Sequence, residues 1–188
     1  MPDSAPGCVP LSAETFEQLF GPRGVRGGCW CAFFRLAGPD FKAAGREGRK
    51  GHVRTEAQDG KPLRFLGIVD GEPLGWVAVP PRKDNPRLAR SRVMASDEPG
   101  AVWSITCFYI HRRGRRRGLA TALLRAGMDY AVEEGAEAVE GYPVSDGTHS
   151  AADLYHGTTG MFADAGFEVV EKRGPARALV RRRIPVAR

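Results

Sequence analysis

Several signatures are absent from this chain of 188 residues, and each absence removes a class of function. No apolar run approaches the roughly 20 residues that cross a bilayer. Residues 1–10 lack the basic-then-apolar pattern of a secretory leader, so a cytoplasmic enzyme is the expectation. The four cysteines, Cys8, Cys29, Cys31 and Cys107, contain no Cys-x-x-Cys pair. With Cys29 and Cys31 two apart on one strand face, the fitting state is reduced thiols. A Gly-x-Gly-x-x-Gly fingerprint with an acidic residue downstream is missing, which argues against a dinucleotide-binding oxidoreductase. No helix-turn-helix, zinc-finger or base-stacking aromatic pattern accompanies the basic residues. Lysine is scarce: only Lys42, Lys50, Lys61, Lys83 and Lys172 occur, so arginine carries most of a net charge of +6.

What remains is an ordinary globular composition, 42% hydrophobic and 27% charged, at a length that suits one domain over residues 1–188. Residues 1–10 hold three prolines and read as a loose arm. Ser12 is placed to cap a short helix with Phe16, Leu19 and Phe20 on its apolar side, stopped by Gly21-Pro22. A first strand is expected at Cys29–Phe34. Residues 38–62 are polar and glycine-punctuated, with a weakened helix over 41–58. Asp70-Gly71 between two apolar runs predicts a hairpin over 63–79. Residues 82–100 read as a long loop with a short helix at 87–92.

The most informative stretch runs from Trp103 to Tyr130. Its first part, Trp103–Ile110, is β-branched and aromatic and reads as a buried strand. His111-Arg112-Arg113-Gly114-Arg115-Arg116-Arg117-Gly118 then turns the chain. Leu119, Leu123, Ala126 and Tyr130 share one face of a helix that ends near Gly135. A strand that feeds a glycine-arginine turn into a helix N-terminus makes an anion site. The first backbone N–H groups have no partner inside the helix, the helix dipole is positive there, and Gly118 and Ala120 let a ligand approach. Arg115 and Arg117 add forked donors, and a pyrophosphate fits. Beyond the helix, strands are expected at 136–142, 167–170 and 178–184, with a polar loop at 145–159 and a short helix at 159–165. The last strand is basic at alternate positions, as an edge strand is.

Arg115-x-x-Gly118-x-Ala120 resembles the Arg/Gln-x-x-Gly-x-Gly/Ala signature of the GNAT superfamily of acetyl-CoA-dependent N-acetyltransferases. Met161-Phe162-Ala163-Asp164-Ala165-Gly166-Phe167 is similar to a second landmark of that family. The resemblance covers roughly Ala101 to Val170. It implies a GNAT-like acyl-CoA N-acyltransferase fold of the α/β (α+β mixed sheet) class, mostly antiparallel and flanked by helices. It also implies acetyl-CoA as cosubstrate, held by Phe108, Tyr109 and Ile110 of the strand and by Arg115, Arg116, Arg117, Gly118, Leu119, Ala120 and Thr121 of the turn. The segment after the first strand would cover the acceptor pocket, and pairing through edge strands into a homodimer is a family habit.

The chemistry implied is direct attack of an amine on a thioester. A small-molecule or protein amine is the acceptor class, with no membrane partner and no nucleic acid. The family tyrosine that protonates the departing thiolate is replaced by Phe162, which leaves Tyr155 as the candidate acid. For the base the candidates are Glu140, Asp146, His149 and His111, with Glu140 placed to face the splayed strands. Cys107 reads as core filler rather than a nucleophile. Asp146, His149 and His156 lack a zinc spacing. Two rival readings stay open: a domain that binds acetyl-CoA without transferring it, and a basic nucleic-acid-binding module.

Overall fold

The computed structural model describes residues 5–21, 23–25, 27–59, 63–145, 147, 149 and 153–185. Two four-stranded sheets carry the fold. In the first, β1 (Gly7–Pro10), β2 (Arg64–Val69), β3 (Glu72–Ala78) and β5 (Cys107–Ile110) lie in the order β1-β2-β3-β5, all antiparallel. In the second, β4 (Val102–Ile105), β6 (Ala138–Gly141), β8 (Ala178–Arg183) and β7 (Glu168–Lys172) lie in the order β4-β6-β8-β7, with only β4 and β6 parallel. The helices are α1 (Ala13–Phe20), α2 (Gly38–Ala43), α3 (Gly45–Gln58), α4 (Leu119–Glu133) and α5 (Thr159–Ala163). This is the mixed, mostly antiparallel α/β architecture expected from the sequence.

Strand alternation puts helices on both faces of the first sheet. Phe65, Gly67, Val69, Gly75 and Val77 face α4, while Leu66 and Trp76 face Leu19 and Phe20 of α1 and Val53 of α3. Trp30 and Trp76 are completely buried and Trp103 nearly so, in keeping with their reading as core. The hairpin turn is as predicted: Asp70 and Gly71 both take positive φ, 51° and 78°, the conformation a two-residue turn needs. Ser12 caps α1 by accepting a hydrogen bond from the Thr15 N–H at 3.2 Å.

The largest departure is at Thr106. The stretch Trp103–Ile110 is not one strand. Its first half, β4, pairs with β6, and its second half, β5, pairs with β3. Thr106 divides them, and its N–H bonds to the Ala78 carbonyl at 3.1 Å. Beyond it β5 is the edge of its sheet and parts from β6, which opens a wedge between them.

Four other expectations are corrected. Residues 29–34 form successive turns, not a strand: Trp30 and Cys31 have φ of 51° and 52°, which no strand admits. Part of the loose arm is ordered, since Gly7–Pro10 pairs with β2. The short helix expected at 87–92 is replaced by a 3-10 turn at Arg82–Asp84. Finally, β8 is not an edge strand. It lies between β6 and β7, and its arginines are matched by acids: Arg181 meets Glu140 and Glu98, and Arg183 meets Glu98. Pro22, expected to help stop α1, lies outside the described residues.

Candidate active site

The N-terminus of α4 is set by one side chain. Leu119 is buried and drops into a socket made by three glycines. A Cβ on Gly67 would lie 2.4 Å from Leu119 Cδ1, one on Gly75 2.7 Å from its Cδ2, and one on Gly114 3.0 Å from the same atom. Only glycine lets the helix come this close to the hairpin. The helix begins at Gly118, which has φ of 72°, and its first internal bond runs from the Ala122 N–H to the Gly118 carbonyl at 3.0 Å. The N–H groups of Leu119, Ala120 and Thr121 therefore precede the helical ladder. A Cβ on Gly118 would meet nothing within 4 Å, so the cradle in front of these amides is open. Arg116 also takes a left-handed conformation, φ 59°, a strained state for a residue that carries a Cβ, and it bends the turn around the opening.

A groove of about 370 Å³ starts at this cradle and follows β5. It is walled by Phe108, Tyr109, Ile110, Arg115, Arg116, Gly118, Leu119, Ala120 and Thr121 on one side. Leu154, Tyr155, Gly157, Thr158 and Met161 form the other. Of the ten residues expected at a cofactor site, Arg117 alone is not in its wall. Its guanidinium turns back to the hairpin and pairs with Asp70 at 2.9 Å. Leu119 offers the groove its backbone, because its side chain is in the glycine socket.

Tyr155 stands at the inner end. It also lines a second cavity of about 450 Å³, together with Cys29, Cys31, Phe33, Phe34, Phe41, Arg49, Thr106, Cys107 and His156. Its ring stacks on that of Tyr109, centroids 6.4 Å apart. Burial pushes the Tyr109 hydroxyl above its ordinary pKa, against the pull of Arg115. Sequence reasoning missed this second cavity. Its lining was hidden because residues 29–34 read as a strand, and the helix expected over 41–58, which the structure forms as α2 and α3, gave no sign of which side chains face inward; the aromatic cluster Phe33, Phe34 and Phe41 was the signal. The sequence offers His156 only within an incomplete metal-ligand pattern, yet in the fold it lines the cavity beside Tyr155. Among the described residues, no group of three or more His, Cys, Asp or Glu side chains could hold a metal ion.

The geometry overturns Glu140 as a base. Its side chain is fully buried and lines neither cavity. Arg181 donates to its Oε1 from Nη2 at 2.7 Å and from Nε at 3.1 Å. Ser96 Oγ donates to the same oxygen at 2.6 Å, and Arg82 approaches Oε2 at 3.5 Å. A carboxylate so fully engaged holds β6 to β8 and has no route to a substrate proton. Tyr142 beside it has its hydroxyl pushed far above the ordinary value, first by burial and then by Glu140. His149 bonds the Ser145 carbonyl, and His111 accepts from the Arg113 N–H at 3.3 Å; neither lines the groove or the second cavity. Asp146 lies outside the described residues. Phe162 is fully buried against Phe108 and Phe167 and has no proton to give.

A family model described as acetyltransferase (GNAT) family matches residues 30–160. The chain belongs to the GNAT acetyltransferase family. Solved structures share the fold over nearly their whole length. A GCN5-related N-acetyltransferase from Kribbella flavida is 18% identical, with 96% of this chain and 98% of that chain covered and a TM-score of 0.56. The PaiA N-acetyltransferase of Thermoplasma acidophilum, solved with coenzyme A, is 12% identical, with 96% and 99% covered and a TM-score of 0.56. The aminoglycoside N-acetyltransferase AAC(6')-Iy, also solved with coenzyme A, is 14% identical, with 92% and 93% covered and a TM-score of 0.57. No curated protein sequence matches this chain. No described helix of this GNAT protein is long and apolar enough to cross a membrane.

Proposed function

We propose that this chain is an acetyl-CoA-dependent N-acetyltransferase, working as one domain over residues 1–188, whose amine acceptor enters the second cavity. The observation that carries the reading is that two cavities meet at one residue, Tyr155, which lines both. A groove begins at an open helix N-terminus and ends at Tyr155, where an aromatic cavity begins. Unladdered N–H groups at Ala120 and Thr121, the open Gly118 cradle and the Arg115 and Arg116 guanidinium groups fit a diphosphate. The free edge of β5 fits an extended amide-bearing arm, which it can bond as a further strand would.

Bound acetyl-CoA supplies an activated acetyl thioester and leaves as a thiol. The chain's own residues do the rest. The apolar walls made by Phe108, Leu154 and Met161 exclude water from the thioester end. Tyr155 holds a hydroxyl proton where the groove meets the cavity, the position from which a departing sulfur is protonated. His156, on the acceptor side, takes up the proton that the amine sheds.

The second cavity also bears on acceptor class. Among the described residues it is lined by one formal cation, Arg49, and by no carboxylate. Arg49 donates to the Phe41 carbonyl at 2.9 Å and stacks over the Phe41 ring at 3.7 Å, and no described carboxylate pairs with it. A polycationic amine is repelled by such a lining. An amine with an apolar body and an anionic group suits it.

Acetyl-CoA titration by thermal shift, followed by thiol release across a panel of amines, tests the reading. We expect a clear shift with acetyl-CoA and thiol release with anionic, apolar amines. Absence of both overturns it. A thermal shift with no release from any amine supports the second reading, a domain that binds acetyl-CoA without transfer, for which the loss of a tyrosine at Phe162 speaks.

A further inference from the structure

Two thiols far apart in the chain meet at the floor of the second cavity. Cys31 Sγ and Cys107 Sγ are 3.3 Å apart, across 76 residues of sequence. Both side chains line the cavity, as does Cys29. Had residues 29–34 formed a strand, Cys29 and Cys31 would share one face and Cys31 would have no reason to face β5. Instead, the left-handed pair Trp30 and Cys31 turns the Cys31 thiol toward the first residue of β5. The fully buried Trp30 ring, packed on Phe20, anchors the turn that presents it.

We infer that Cys31 and Cys107 are a redox-active dithiol, a modification site that a peroxide converts to a reversible disulfide. The two sulfurs need to close by little more than 1 Å to reach the roughly 2.05 Å of an S–S bond. The roles follow from access. Both line the cavity, but Cys107 is only half-buried, so it meets the oxidant first, whereas Cys31 is buried. The Cys107 thiolate attacks the peroxide, breaks the O–O bond and becomes a sulfenic acid, with water released. The Cys31 sulfur then attacks the Cys107 sulfur. The S–S bond forms, the S–O bond breaks, and the hydroxyl leaves with the Cys31 proton as a second water. Two electrons pass from the thiols to the peroxide, and an added dithiol returns them. Burial pushes the Cys31 thiol well above its ordinary pKa, which suits it to the second, resolving step.

The cross-link ties the turn segment carrying Phe33 and Phe34 to the base of β5, next to Tyr109. It stiffens the wall of the acceptor cavity and leaves the groove at α4 untouched. Its effect on turnover rests on the acetyltransferase reading; its formation does not.

Peptide mapping of the full chain after hydrogen peroxide treatment and alkylation decides the matter. We expect a Cys31–Cys107 peptide pair under non-reducing conditions, with Cys8 and Cys29 still alkylated and the pair lost on adding dithiothreitol. Cys29→Ser should retain the link; Cys31→Ala and Cys107→Ser should each abolish it. Amide exchange over residues 27–34 should slow in the oxidised chain. Where transfer is measurable, oxidation should lower it at least tenfold, reversibly, without moving the acetyl-CoA thermal shift. Four alkylatable thiols after peroxide, a link through Cys29 or Cys8, or irreversible oxidation of Cys107 alone overturns the dithiol. A chain that forms the link but never transfers an acetyl group defeats the enzymatic reading and leaves the dithiol standing.

Discussion

The rings of Tyr109 and Tyr155 lie nearly parallel, with planes 15° apart and centroids 6.4 Å apart, where the groove and the second cavity meet. The stack joins β5 to the short 3-10 turn at Asp153–His156 and sets where the Tyr155 hydroxyl sits. Phenylalanine at 155 keeps the ring and removes the proton. Tyr155→Phe should therefore lower kcat by about 10²-fold, the low end of what a positioned general acid contributes, and leave KM for acetyl-CoA unchanged. Phe162→Tyr should not rescue it, because that ring is fully buried against Gly141, where a Cβ would already lie 2.3 Å from the ring. Steady-state thiol release reads both variants, and full activity in Tyr155→Phe would remove the acid role.

The glycine socket around Leu119 yields a coupling test. Gly75→Ala places a methyl 2.7 Å from Leu119 Cδ2 and pushes the start of α4 off the hairpin. Overpacking of this kind costs about 1–3 kcal/mol. It should lower Tm and also raise KM for acetyl-CoA, since the displaced residues carry the open amides. Leu119→Ala alone leaves a cavity. The double variant should be less destabilised than the sum of the singles, by roughly 0.5–3 kcal/mol. Denaturant melts of the four chains measure it; simple additivity would show that the socket does not hold the helix.

Local chemistry made this end of the molecule readable from sequence. The Asp70-Gly71 turn, the Ser12 cap and the strand–turn–helix at Gly118 each depend on residues within a few positions of one another, so short-range rules found them. What was misread depends on distant partners. Cys29–Phe34 has strand composition, but burial of Trp30 beneath Phe20 and the approach to Cys107 impose turns. The arginines of β8 look like an edge because Glu98 and Glu140, which neutralise them, lie more than 40 residues away. Glu140 looked like a base for the same reason: the ionic cluster around it is visible only once β6 and β8 are paired. The split at Thr106 leaves no local trace, since both halves are good strand sequence.

Arg49 offers a test of acceptor class. A hydrogen bond to a charged group contributes about 1.5–3 kcal/mol, or roughly 10- to 100-fold in affinity. Arg49→Met keeps apolar bulk over Phe41 and removes the charge. KM should rise by roughly that factor for an anionic amine acceptor and change little for its uncharged amide counterpart, with KM for acetyl-CoA unaltered. Equal losses for both acceptors would indicate a packing role for Arg49 and no part in recognition.

Stability should fall on acidification through a second ionic cluster, built on Glu56. Arg64 is almost wholly buried and pairs with Glu56; Arg35 Nε donates to the same carboxylate at 2.7 Å, and His52 lies 3.6 Å from it. Burial opposes the charge on Glu56, but Arg64 and Arg35 together outweigh it and hold its pKa below the ordinary carboxylate value. Its contribution is thus complete above about pH 4.3, where the unfolded side chain is ionised, and is lost as the pH falls through the lower folded value. His52 acts in the same direction. Burial, helped by Arg64 and Arg35 and resisted by Glu56, lowers its pKa, so the unfolded chain takes up a proton first as the pH drops below about 6.5. Thermal melts should show Tm declining gently from pH 7 to pH 5 and steeply below pH 4.5. Glu56→Gln leaves Arg64 buried without its anion and should cost about 3–5 kcal/mol at pH 7, with the steep acid limb gone. Should that variant fail to fold, Glu56→Gln with Arg64→Met removes both charges and should recover most of the loss. A Tm that stays level from pH 7 to pH 4 in the native chain would mean that the cluster contributes nothing to folding.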